Sequence, residues 1–173
     1  TVTYWSTNDS GELTRVENAT DASKDWTVRY NPNTATLTLN EAADSSEPPL
    51  AVFAARIDGL SLSPGYRSFD RISAFWPGIY ALCSSKQPVA LTIELIGTNT
   101  ITGHYGIYVD AQQGEIVGTN ASLLIQNSSD YGILEVSGSS HGIYVKSGTG
   151  NASLNIKNVA VTSSTNGNYA AGV

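Results

Sequence analysis

The chain has 173 residues, of which 14% are charged and 40% hydrophobic, and its formal net charge is -6. That length suits one domain, residues 1–173, and the apolar share excludes a disordered segment. The acidic balance and the lack of any apolar run near the roughly 18 residues of a span leave neither a nucleic-acid partner nor membrane insertion to be expected.

Residues 1–45 read as an N-terminal cap and entry hairpin. Trp26-Thr-Val-Arg-Tyr30 alternates apolar and polar residues, Asn31-Pro-Asn-Thr34 is a turn signal, and Ala35-Thr-Leu-Thr-Leu39 alternates again. Trp5 and Trp26 are expected to pack over the end of a core. Such a cover is needed because an open strand edge is an aggregation site.

Residues 43–77 form a loop-rich insertion. Glu47-Pro-Pro49 and Ser63-Pro-Gly65 are loop signals, with a short strand predicted within Ala51–Ile57. Aromatics and arginines then cluster at Tyr66, Arg67, Phe69, Arg71, Phe75 and Trp76. Long loops with such residues serve as binding elements or pin themselves to a flank, so Tyr66, Arg67, Arg71 and Trp76 are candidate ligand contacts. The single cysteine, Cys83, follows shortly after. It forms no internal disulfide and reads as a small buried hydrophobe.

From residue 78 to 173 the chain repeats itself. Asn120-Ala-Ser-Leu-Leu-Ile-Gln-Asn127 returns as Asn151-Ala-Ser-Leu-Asn-Ile-Lys-Asn158, 31 residues later with six of eight positions identical. Leu91-Thr-Ile93 precedes Leu123–Ile125 by 32 residues. A second element recurs in step as Gly78-Ile-Tyr-Ala81, Gly106-Ile-Tyr-Val109 and Gly142-Ile-Tyr-Val145, with Gly172-Val173 as the start of a truncated fourth. A third lies between them at Asn99–Gly103, Leu134–Gly138 and Val159–Thr162. Three short strands per unit, with a period near 30 residues, predict an all-β right-handed parallel β-helix of about four coils. Stacked coils would pair each other's backbone groups and align Ile79, Ile107 and Ile143 in one row and Leu91, Leu123 and Leu154 in another. The alternative is a β-sandwich, which has short strands but no need for the same tripeptides to return at coil spacing. The chain contains no methionine and opens on no signal segment, so it reads as a piece of a longer protein with further domains expected.

These motifs resemble the pectin-lyase-like β-helical repeat domains of large secreted or surface proteins of gut Clostridia-type bacteria. The run Leu-Thr-Ile-Glu-Leu, then Asn-Thr-Ile-Thr-Gly, then Gly-Ile-Tyr-Val carries the resemblance, together with the hairpin from Trp26 to Asn40. It covers residues 26–42 and 78–173, and residues 43–77 depart from it. The resemblance implies an extracellular or cell-wall-attached protein, carbohydrate-binding or adhesin-like.

The residues themselves argue against catalysis. A lyase needs clustered carboxylates for calcium with a basic residue close by, and a hydrolase needs two carboxylates about 5–9.5 Å apart. Glu94, Asp110, Glu115, Asp130 and Glu135 stand at non-equivalent repeat positions, and Lys146 replaces Asp110 one unit on. Asp58 and Asp70 beside Arg56, Arg67 and Arg71 suit surface ion pairing. His141 stands where the previous unit has Tyr105, which suits shape or stacking, and neither it nor His104 reads as a metal ligand. No metal or cofactor is implied.

One positive feature is the tyrosine of each Gly-Ile-Tyr motif. With Ile directed inward, Tyr80, Tyr108 and Tyr144 should point outward and form a ladder. Such a ladder offers ring faces and hydroxyls to a polysaccharide or host glycan, or it stabilises adjacent strands by stacking. The leading expectation is a non-catalytic glycan-binding module. The alternatives are a structural or adhesin stalk segment and a degenerate polysaccharide lyase or hydrolase.

Overall fold

Short alternating segments rich in Thr, Val, Ile and Tyr bury one side and expose the other, and they become strands here. The computed structural model describes residues 1–7, 13–23, 25–40, 53–56, 62–64, 77–82, 88–113, 116–117 and 119–165, and no helix occurs among them. The chain is all-β with a mixed sheet.

The N-terminal part is antiparallel. Strand β1 (Thr3–Thr7) pairs with β2 (Leu13–Arg15) on one side and β3 (Val28–Asn31) on the other. β3 turns back into β4 (Thr36–Asn40), with Val28 opposite Leu39 and Tyr30 opposite Leu37. The turn is held by Asn31, whose Oδ1 accepts the Asn33 backbone N–H at 3.1 Å. Ala35 closes it at φ 48°. Val28, Tyr30, Leu37 and Leu39 join the core with Trp5. Trp26 is buried as well, tilted against Tyr4 at 5.8 Å and donating its indole N–H to the Thr20 carbonyl.

On its other edge β4 runs parallel to β8 (Val89–Asp110), with Leu37 beside Ile93 and Leu39 beside Leu95. Before β8 come β5 (Phe53–Arg56), β6 (Leu62–Pro64) and β7 (Pro77–Leu82). β5 lies within the strand predicted at 51–57; it is antiparallel to β6 and parallel to β7. β7 runs parallel to the end of β8. β9 (Gln112–Gln113) and β10 (Ile116–Val117) make a separate small hairpin. Then follow β11 (Ala121–Lys146), β12 (Ala152–Lys157) and β13 (Ala160–Thr165), with β12 and β13 both parallel to β11. Cys83 lies outside the described residues.

The start of β8 pairs with β4 and its end with β7. Gly97 sits at φ 67°, in the left-handed region that glycine enters without steric cost. β11 follows β8 residue by residue and shifts register between Asn127 and Gly132 and between Gly138 and His141.

The repeated residues stack. Leu91, Leu123 and Leu154 are register partners across β8, β11 and β12, as are Ile93, Ile125 and Ile156. Ile79, Ile107 and Ile143 align across β7, β8 and β11. All three belong to the main core cluster. The row through Asn99 and Leu134 ends on Val161, two residues beyond the Val159 that sequence alignment placed there. A two-residue slip keeps every side chain on the same face, so periodicity cannot detect it. Asn99 is fully buried in that apolar row, and its Nδ2 donates to the carbonyls of Ile96, Gly97 and Ile133. These bonds offset the cost of placing an amide there.

The glycine of Gly-Ile-Tyr also has a physical reason. A Cβ on Gly78 would stand 2.6 Å from Ile101 Cγ2, 2.7 Å from the Thr102 carbonyl oxygen and 2.8 Å from that of Gly106. One on Gly106 would stand 2.3 Å from Val136 Cγ2 and 2.6 Å from the Gly142 oxygen. The strand passes its neighbours too closely for any side chain.

Candidate functional site

The Gly-Ile-Tyr strands place their isoleucines in the main core and their tyrosines on the opposite side. Tyr80, Tyr108 and Tyr144 are register partners. Their rings stack, Tyr80 on Tyr108 at 5.0 Å and 17°, and Tyr108 on Tyr144 at 5.2 Å and 16°. The ladder expected from sequence thus points away from the core, but it is not the open platform that sugar stacking requires. Tyr80 and Tyr108 are each 6% exposed and form a second apolar cluster with Leu82. Each uses a ring face on its neighbour, so the two buried tyrosines act as packing. Tyr144, the last ring of the stack among the described residues, is only partly buried.

A buried carboxylate anchors the middle rung. Tyr108 donates its hydroxyl to Asp110 Oδ2 at 2.8 Å, and Asp110 Oδ1 accepts the Gln112 N–H at 2.7 Å. Burial, then the Asp110 bond and charge, push the Tyr108 phenol far above its usual value. Asp110 faces Lys146 in register, with Nζ 4.0 Å from Oδ2. The exchange of Asp for Lys between repeats, read from sequence as the breaking of an acidic row, is a cross-strand ion pair.

A second group of rings gathers beside the ladder. Tyr105 and His141 are register partners and stack at 5.3 Å and 6°. Tyr105 also tilts against Tyr108 at 4.8 Å and Tyr144 at 5.6 Å, and His104 meets it edge-on at 5.0 Å. His141 reaches Tyr144 at 4.7 Å. The register shift between Gly138 and His141 brings in two serine hydroxyls. His104 Nδ1 pairs with Ser139 Oγ at 2.8 Å and His141 Nδ1 with Ser140 Oγ at 2.9 Å. Burial and the neighbouring His141 both lower the His104 pKa from 6.5. His104, Tyr105, His141 and Tyr144 are all partly buried, so ring area and polar edges reach solvent together.

No family model, curated protein or solved structure matches the chain. The site therefore rests on its own geometry. An open groove of ≈ 430 Å³ is lined by His141, Tyr144, Ile143, Val145, Ser153 and Leu154 among others. Among the described residues, no three His, Cys, Asp or Glu side chains are grouped to hold a metal ion. Tyr66, Arg67, Arg71 and Trp76 lie outside the described residues, as do Asp58 and Asp70.

Tyr105, with its two histidines and two serines, is the part of the site that the strand pattern alone did not select. A signal was present three residues before each ladder tyrosine. Tyr105 precedes Tyr108 and His141 precedes Tyr144, while Pro77 holds that place before Tyr80. The aromatic pair therefore exists only where the second and third copies of the motif meet.

Proposed function

We propose that the chain is a right-handed parallel β-helix acting as a non-catalytic glycan-binding module of a secreted or surface-attached bacterial protein. The half-buried aromatic patch of Tyr105, His141, Tyr144 and His104, beside the Ser139 and Ser140 hydroxyls, carries this reading. Rings that are partly open and flanked by hydroxyls match the two faces of a sugar, its apolar C–H side and its polar rim. The in-register parallel ladders from β8 through β11 to β12 and β13 support the β-helix. The extracellular and bacterial setting rests on the motif resemblance.

The test is retention of the chain in native gels containing xylan, galactomannan or yeast mannan. Retardation by one of them, lost in Tyr105→Ala and Tyr144→Ala variants with unchanged circular dichroism, is expected. Equal mobility in every gel would refute glycan binding. A second reading, a stalk or adhesin segment, draws on Ile156. It continues the buried Ile93–Ile125 row yet is 44% exposed, as a layer awaiting another would be.

A further inference from the structure

The two histidines of the chain both lie in this one patch, although 37 residues separate them in sequence. They are held by consecutive hydroxyls, His104 by Ser139 and His141 by Ser140, and both touch the same ring, Tyr105. A Ser hydroxyl can donate to a neutral imidazole nitrogen or accept from a protonated one. The anchors therefore tolerate either charge state, and the surroundings set the cost of charging.

Those surroundings resist it. Among the described residues, the titratable and charged groups that meet the imidazoles or their ring neighbours are Tyr105, Tyr108 and Asp110 of β8, Tyr144 and Lys146 of β11, and Tyr80 of β7, while Glu94 of β8 and Asp130, Tyr131 and Glu135 of β11 lie further along those strands. β13 contributes a hydroxyl, with Thr165 donating to the Ser140 carbonyl at 3.2 Å. The one carboxylate of the group, Asp110, is committed to Tyr108, Gln112 and Lys146. Burial already disfavours a proton on His104, and His141 adds to this as a like charge.

We propose that the patch binds a neutral saccharide in a proton-linked way, holding it at neutral pH and releasing it on mild acidification. This rests on the glycan reading of the same patch. A saccharide lying across Tyr105 and Tyr144 covers the half-buried imidazoles and removes more water from them. Covering a group that must not be charged makes charging it harder, so bound ligand and bound protons compete. Histidine is the side chain whose ordinary range places that competition between about pH 5 and 8.

The test uses the intact chain with galactomannan and xylan as probes, in native affinity gels at about pH 7.5 and about pH 5. Competition between bound ligand and the His104 proton predicts retention weaker by a few-fold, on the order of threefold, at the lower pH. The His104 imidazole signal is also followed by NMR between about pH 8 and 5, free and with galactomannan oligosaccharide, with His104→Gln assigning it. The His104 signal is expected to titrate at lower pH when ligand is bound. Retention that is equal or stronger at the lower pH, or a His104 titration unmoved by ligand, overturns proton linkage and leaves glycan binding standing. No retention at either pH removes the glycan reading and the linkage together.

Discussion

Replacing Gly106 by alanine tests whether the motif glycine is there for close approach. The new Cβ would lie 2.3 Å from Val136 Cγ2, 2.6 Å from the Gly142 carbonyl oxygen and 3.0 Å from that of Ser137. Comfortable carbon contacts lie near 3.5–4.0 Å, so about 1 Å of movement is required. Val136 cannot supply it easily, since it is 2% exposed and β-branched. The two carbonyls belong to the backbone of paired strands. Overpacking of this kind costs about 1–3 kcal/mol, against roughly 0.4–1 kcal/mol gained from the stiffer unfolded chain. A net loss of about 1.3 kcal/mol is expected, or about 3–5 °C in melting temperature for a chain of this size. Urea unfolding followed by tryptophan fluorescence and circular dichroism measures it. Val136→Ala should cost less in the Gly106→Ala chain than in the parent, because one of the three clashes disappears with it. A Gly106→Ala chain within about 0.5 kcal/mol of the parent would refute the close-approach argument.

Ile125 and Ile156 occupy equivalent repeat positions but are 0% and 44% exposed. Ile125→Ala should therefore cost about 2–5 kcal/mol in urea unfolding and Ile156→Ala under about 1 kcal/mol, and equal losses would contradict the burial difference. Tyr108→Phe leaves the buried Asp110 without its phenol donor, a loss of about 1–3 kcal/mol measured the same way. The Tyr108 phenol, raised in the folded state, holds more protons there than in the unfolded chain above the ordinary value of 10.0. Its contribution is complete below that pH and is lost as pH rises further, so stability should fall through the alkaline range, less steeply in Tyr108→Phe. His104 works in the opposite direction. Its lowered value means that the contribution is present above pH 6.5 and lost as pH falls, which a His104→Gln chain should no longer show in acid-unfolding curves.

The sequence by itself determined the hairpin strands before Asn40, the repeat strands from residue 78 on, most of their rows and the faces of their side chains, but not β1, β2, β6, β9 or β10. Alternation at period two and tripeptides returning at a fixed spacing are local signals, and they placed Leu91 over Leu123 and Ile107 over Ile143 as the structure has them. They also directed the motif tyrosines away from the core. Burial on that outer side was not legible, because it depends on what packs there from distant parts of the chain. Only the tertiary structure decided that Tyr80 and Tyr108 are buried at 6% exposure while Tyr144, the last ring of the stack among the described residues, is partly buried. The same holds for Val161 in place of Val159, where an even slip leaves the alternation unchanged. Asp110 and Lys146 looked like an interrupted acidic row until their pairing brought opposite charges together. Likewise His104, Tyr105 and His141 became one patch only through the parallel register of β8 and β11 and the register shift at Ser139 and Ser140. Repeats specify what stacks on what, while solvent access and contacts between rows are set by the three-dimensional packing of the strands.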